Sequence, residues 1–184
     1  MEEILQTVTE EVTSVVGQVD HQEVANLAEI IASSNRIFIA GTGRSGLAGK
    51  MFAMRLMHIG YDSYVVGETI TPSISEDDVL ILISGSGETN TLVNFASKAS
   101  EVNTSVHLIT TNPTSTIGKV SKGVVKIPAV TKKMLENRNT IQPLGSQFDQ
   151  AAHLILDSVI VYLMNHFIDS KDTKTLNKKH ANLE

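Results

Sequence analysis

Five short apolar runs recur along the chain: "RIFIA" (36–40), "YVV" (64–66), "DVLILIS" (78–84), "SVHLIT" (105–110) and "GVVKIP" (123–128). Most are separated by stretches of helical periodicity, "SGLAGKMFAMRLMHIG", "TNTLVNFASKASEV" and the shorter "TSTIGKVS". Parallel strands need a crossover between them, and that crossover packs on the sheet as a helix. Runs this uniformly apolar belong to strands buried on both faces. The pattern predicts an α/β fold, a doubly wound five-stranded parallel sheet flanked by helices in a flavodoxin-like three-layer sandwich.

The flanks fit that core. Ile4, Leu5, Val8, Val12, Val15 and Val16 recur at helical spacing, as do Val24, Leu27, Ala28 and Ile31, so two helices precede the sheet. After it, "TKKMLENRNTIQ" is polar and irregular, and "PLGSQFDQAAHLILDSVIVYLMNHF" reads as one long apolar helix. The tail from Asp169 is polar and charged and reads as a frayed terminus. With 184 residues, 41% of them hydrophobic, the chain is expected to form one domain over 1–184. Its parts are N-terminal helices (1–34), an α/β core (35–168) and a C-terminal tail (169–184).

Charge and cysteine usage narrow the function. Fifteen Lys and Arg against 20 Asp and Glu give a net charge of -5, which supplies no global positive field for nucleic acid or anionic lipid. The absence of cysteine removes disulfides, thiolate nucleophiles and cysteine metal sites. The acidic, amphipathic start is unlike a signal peptide, and no apolar stretch is long enough to span a bilayer. A soluble, cytoplasmic protein with no nucleic-acid or membrane partner is expected.

In an open α/β sheet, ligands gather beyond the carboxyl ends of the strands. Two loops there carry chemistry. The first, "AGTGRSG", places Gly41, Gly43 and Gly46 at G-x-G-x-x-G spacing and adds the Ser45 hydroxyl. Its glycines let backbone N–H groups and a helix N-terminus approach an anion. A dinucleotide reading requires an acid at the end of the second strand, for which Glu68 is the candidate, yet 184 residues leave little room for a dehydrogenase's substrate domain. The second loop, "SGSGETNT", sets Ser84, Ser86 and Thr89 around Gly85 and Gly87, with Glu88 between, just before a helix starting near Asn90. Hydroxyls and backbone amides at a helix start suit a phosphate monoester. The loop lacks the G-K-[ST] ending that nucleotide phosphoryl transfer uses. Either loop alone is compatible with an ordinary strand-to-helix turn; both together on one sheet edge favour a phosphate-bearing ligand.

"GTGRSG", "KMFAMRLMHIGYDSYVVGETITP", "SGSGETNT", "TNPTSTIGK", "IQPLGSQFDQ" and the terminal "HANLE" together resemble the sugar isomerase (SIS) domain family, in particular its 6-phospho-3-hexuloisomerase branch. The Ser/Thr loop alone marks only an SIS domain; "RLMHIG", "QPLGSQF" and "HANLE" make the resemblance specific. It implies an isomerase without metal or other cofactor, assembled as a homo-oligomer, commonly a tetramer. The implied reaction interconverts D-arabino-hex-3-ulose 6-phosphate and D-fructose 6-phosphate, a step of formaldehyde fixation by the ribulose monophosphate pathway.

By the same resemblance, Ser45 and the stretch Ser84, Gly85, Ser86, Gly87, Glu88 and Thr89 bind substrate, chiefly its phosphate. The acid after "GSQF" is the proton acceptor. Here it is Asp149 where the family pattern has Glu, a stem shorter by about 1.5 Å, one C–C bond. His180 in "HANLE" is expected to act as acid or polar clamp as the tail folds over an active site, its own or a neighbour's. His107, His153 and His166 read as packed or solvated, and Met51, Met54 and Met57, on the helix that carries His58, as core or interface filler. Arg44 and Glu68 sit on the ligand edge and rank below the Ser/Thr loop. Other SIS domains sense sugar phosphates within transcriptional regulators or isomerise other sugar phosphates, so a sensor without turnover stays open beside the enzyme.

Overall fold

The computed structural model describes residues 1–130 and 140–168. Two helices lead, α1 (Glu2–Val16) and α2 (His21–Ser33), followed by β1 (Ile37–Gly41), α3 (Gly43–Ile59) and β2 (Ser63–Val65). Then come β3 (Val79–Ile83), α4 (Asn90–Glu101), β4 (Ser105–Thr110), α5 (Thr116–Val120), β5 (Gly123–Lys126) and α6 (Ser146–His166). Each anticipated strand and helix is present, with ends displaced by at most three residues and β4 unchanged.

All five strands pair in parallel, in the order β2-β1-β3-β4-β5. Chain order reverses between β1 and β3, so the two loops singled out above leave adjacent strands at the switch point where such sheets bind ligands. β3 is buried at every position. Its alternate residues serve two cores, because successive side chains point to opposite faces. Val79, Ile81 and Ile83 join Ile37 and Ile39 under α2, α3 and α6, while Leu80 and Leu82 join Phe38 and Ala40 under α4 and α5. Each fully buried side chain of this size contributes about 1.5–3 kcal/mol through lost water contact.

The long helix α6 is the centre of the first layer. Phe148, Ala151, Ala152, Ile155, Leu156, Val159 and Leu163 are all buried, and α6 packs against α1, α2 and α3. Of the two places the sequence left open for Met51, Met54 and Met57, core or interface, the core is filled by Phe52, Ala53 and Leu56, while the methionines are 41–44% exposed. The methionines and the core residues alternate along one helix, so a single apolar stretch feeds two faces.

The amino end of the sheet is closed by an ion pair. Arg36 donates from Nε to Asp78 Oδ1 at 3.0 Å and from Nη2 to Oδ2 at 2.7 Å. Burial pushes the Asp78 carboxyl up, and the Arg36 and Ser75 hydrogen bonds outweigh that, leaving it below the ordinary carboxylate range. Among the described residues no helix is long and apolar enough to cross a membrane.

Candidate active site

The β1–α3 turn is tight for steric reasons. A Cβ on Gly41 would lie 2.9 Å from the Gly46 nitrogen, and one on Gly46 would lie 2.7 Å from the Gly41 oxygen. Gly43 adopts φ +57°, a left-handed conformation that side chains resist. The first turn of α3 thereby projects Arg44 and Ser45 toward the start of α6. Ser45 Oγ donates to Asp149 Oδ1 at 2.8 Å, and Arg44 Nε donates to Asp149 Oδ2 at 3.0 Å. Asp149 is 13% exposed by its side chain and Arg44 61%. Among the described residues, two of the roughly four acceptor positions of the carboxylate are occupied.

The β3–α4 loop, Ser84 to Thr89, is organised from within. The Ser84 hydroxyl is buried and accepts from Gly87 N at 3.1 Å. Ser86 is exposed, its hydroxyl accepting from Glu88 N at 3.2 Å. Thr89 is the N-cap of α4 with no side-chain cap bond, and its Oγ1 lies 3.5 Å from Ser84 Oγ. Glu88 Oε1 accepts from Thr116 N at 2.9 Å, so this carboxylate caps α5. Gly87 has φ +65°, and a Cβ there would fall 2.0 Å from Ser115 Oγ.

These parts converge. The Phe148 ring packs on Gly85, 3.4 Å from where its Cβ would be, which sets the residue before Asp149 against the β3–α4 loop. Ser45, Asp149 and the Ser84–Thr89 stretch thus share the carboxyl edge, with Arg44 added. His180 lies outside the described residues. The sequence reading quoted "TNPTSTIGK" for the resemblance but gave no role to Thr110 and Thr111, whose hydroxyls donate to Gly85 O at 3.2 and 2.7 Å, or to Ser115. Their signal was the hydroxyl-rich run "TTNPTST" directly after β4, on the same edge.

The remaining candidates sit apart. A cleft of about 170 Å³ beside the same glycine turn is lined by Gly46, Gly49, Gly67, Lys50 and Glu68, but not by Asp149. Lys50 Nζ donates to Glu68 Oε1 at 2.6 Å, so the acid a dinucleotide would need for its ribose is ion-paired. His107, within β4, contacts Ser105 Oγ at 3.0 Å, and burial, aided by Lys122, pulls its pKa to about 4. His58 is buried on α3. No cluster of three or more His, Cys, Asp or Glu that could hold a metal occurs among the described residues.

A parallel sheet with hydroxyl-rich loops and a carboxylate converging at its switch point is the architecture of a sugar isomerase domain. The chain belongs to the SIS domain family, whose model matches residues 30–154. Within that family it is 41% identical to 3-hexulose-6-phosphate isomerase of Bacillus subtilis, over 99% of this chain and 98% of that protein. It is 39% identical to 3-hexulose-6-phosphate isomerase of Mycobacterium gastri, over 98% and 89%. A crystal structure of a hypothetical protein from Methanococcus jannaschii, for which a 3-hexulose-6-phosphate isomerase function was inferred, superimposes with a TM-score of 0.83 at 34% identity, covering all of both chains.

Proposed function

We propose that this chain is a 3-hexulose-6-phosphate isomerase, interconverting D-arabino-hex-3-ulose 6-phosphate and D-fructose 6-phosphate as part of formaldehyde assimilation by the ribulose monophosphate pathway. The observation that carries this reading is the meeting of Asp149 with Ser45 and Arg44 beside the β3–α4 loop, in a chain 41% identical end to end to a protein of that name.

The chemistry is redox-neutral proton transfer. Asp149 takes the proton from C2; the C–H electron pair forms the C2–C3 double bond, and the C3 carbonyl oxygen becomes the enediolate oxygen. A proton then moves between the two oxygens, the O2 electrons form the new carbonyl, and Asp149 returns its proton to C3. One carboxylate reaching both carbons suffices, and neither nicotinamide nor metal enters these steps. The Ser45 hydroxyl and the Arg44 guanidinium orient the carboxylate. The β3–α4 loop holds the phosphate through backbone amides, Ser86, Thr89 and the start of α4, converting remote binding energy into alignment at C2.

His180 is proposed to reach a site from the tail as acid or clamp. The whole chain is read as one cytoplasmic domain that binds no nucleic acid and assembles as a homo-oligomer, a tetramer by the family resemblance. Leu47, Met51 and Met54 on α3 and Leu154 and Val161 on α6 supply exposed apolar stripes for that contact.

The test is turnover of hexulose 6-phosphate, formed in place from formaldehyde and ribulose 5-phosphate by a separate synthase, comparing wild type with Asp149→Asn. Wild type is expected to release fructose 6-phosphate without added NAD or metal. The variant is expected to lose about 10³-fold in kcat, the range of a lost general base, with its Tm unchanged. Sugar phosphate bound but not turned over by wild type would replace the isomerase with a sensor or with an isomerase of another sugar.

A further inference from the structure

α6 begins without a cap of its own. Gly145 at the N-cap makes no side-chain bond, and Leu144 before it has φ +56°, a left-handed conformation unfavourable for a leucine. The order of this turn is supplied from the other end of the chain. Glu11, on α1, accepts from Thr140 Oγ1 at 2.6 Å, Ile141 N at 2.8 Å, Gln142 Nε2 at 2.9 Å and Gln147 Nε2 at 3.2 Å. Three of these donors converge on Oε2 and one on Oε1; Thr140, Ile141 and Gln142 come from the segment that leads into α6 and Gln147 from its first turn. Gln142 and Gln147 are buried. Gln147 Oε1 also accepts from Val130 N at 3.3 Å, so one amide side chain joins both flanks of the stretch 131–139.

We infer that Glu11 is a positioning residue for Asp149, a role that rests on the isomerase reading above. Gln147 precedes Asp149 by two residues in the first turn of α6, and its amide is fixed by Glu11 on one side and Val130 on the other. The axial place and rotation of that turn are therefore set by a charge on α1. Burial pushes the Glu11 carboxyl up, and the bonds from Thr140, Gln142, Ile141 and Gln147 outweigh it, so the group is charged at neutral pH and holds its donors.

The experiment compares full-length wild type, Glu11→Ala and Glu11→Gln for kcat, KM, Tm and amide hydrogen exchange across residues 141–149. Glu11→Ala is expected to speed exchange in that window and to lower kcat about tenfold or more, as a sub-ångström misplacement of a base does. Its KM should stay within threefold, because the β3–α4 loop is untouched. Glu11→Gln keeps the size of the side chain and one acceptor oxygen, and should fall between the two. A folded Glu11→Ala with wild-type kcat and a lowered Tm overturns the inference, leaving a staple for stability only; unchanged exchange across 141–149 overturns it as well. Should wild type fail to turn the sugar over while Glu11→Ala still speeds exchange, the isomerase reading falls and the clamp on α6 stands.

Discussion

The two halves of the carboxyl edge are built on opposite plans. The β3–α4 loop is held by its own residues and by the next connection along the edge: Ser84 holds Gly87, Thr110 and Thr111 hold Gly85, and Glu88 caps α5. The Asp149 half is a junction of side chains from distant parts of the chain, with Arg44 61% exposed at its rim. A cradle for phosphate can be written into one stretch of sequence, because backbone amides and a helix start do the binding. A base cannot, since its usefulness depends on where a second element places it. The first plan gives rigidity and the second gives reach, and an isomerase needs both.

The largest effect expected from breaking the rigid half is at Gly87. An alanine there meets both a left-handed φ and a Cβ 2.0 Å from Ser115 Oγ. Strain and overpacking together should cost about 2–4 kcal/mol, read as a lowered midpoint in urea, with KM raised in the protein that remains folded. Adding Ser115→Ala should recover little, because the Ser115 Cβ, 2.5 Å from the new Cβ, and the left-handed φ both remain. A Gly87→Ala midpoint equal to wild type would show that the loop yields, and the contrast with the Asp149 half would go with it.

The fold was legible because its signal is local. "DVLILIS" and "SVHLIT" announce buried strands by their short apolar, β-branched runs, and both strand-to-helix loops follow from glycine and hydroxyl spacing after such strands. Even so, hydroxyl type did not disclose direction: Ser84 and Ser86 read alike, yet one is buried and the other exposed. The resemblance named Ser45 and Asp149 as site residues but not their contact, since they are separated by 104 residues and no periodicity links them. Glu11 gave no signal at all; it is one of several acids on an amphipathic helix, distinguished only by the segment that tertiary packing brings to it. Met51, Met54 and Met57 show the converse limit, because apolar type alone does not say which face of α3 meets the sheet.

Next in size is Arg44→Ala, which probes the half built for reach. The pair with Asp149 is exposed on the arginine side, and such pairs contribute roughly 0–1 kcal/mol to stability. Tm should therefore move little. Loss of the charge beside the substrate should instead lower kcat/KM about tenfold, through loosened orientation of Asp149 and a weakened hold on an anionic ligand. Equal kcat/KM in the two proteins would assign Arg44 to the surface and leave Ser45 as the group that orients Asp149.

The finest division lies inside the β3–α4 loop itself, between two serines of opposite burial. Ser84→Ala removes one of two acceptors of the buried Gly87 N–H, which also bonds the Ser84 carbonyl at 3.2 Å, a loss of about 1 kcal/mol in stability. Ser86→Ala removes an exposed hydroxyl whose partner, Glu88 N, can turn to water. Its stability should change by no more than about 0.5 kcal/mol, while on the proposed phosphate role of this loop KM for the sugar phosphate is expected to rise a few-fold. The two variants should thus separate cleanly in a plot of Tm against KM, Ser84→Ala moving chiefly along the first axis and Ser86→Ala along the second. If both moved together along one axis, the buried frame and the binding surface of the loop would be a single unit, and the distinction between rigidity and reach would hold only between the two halves of the edge, not within them.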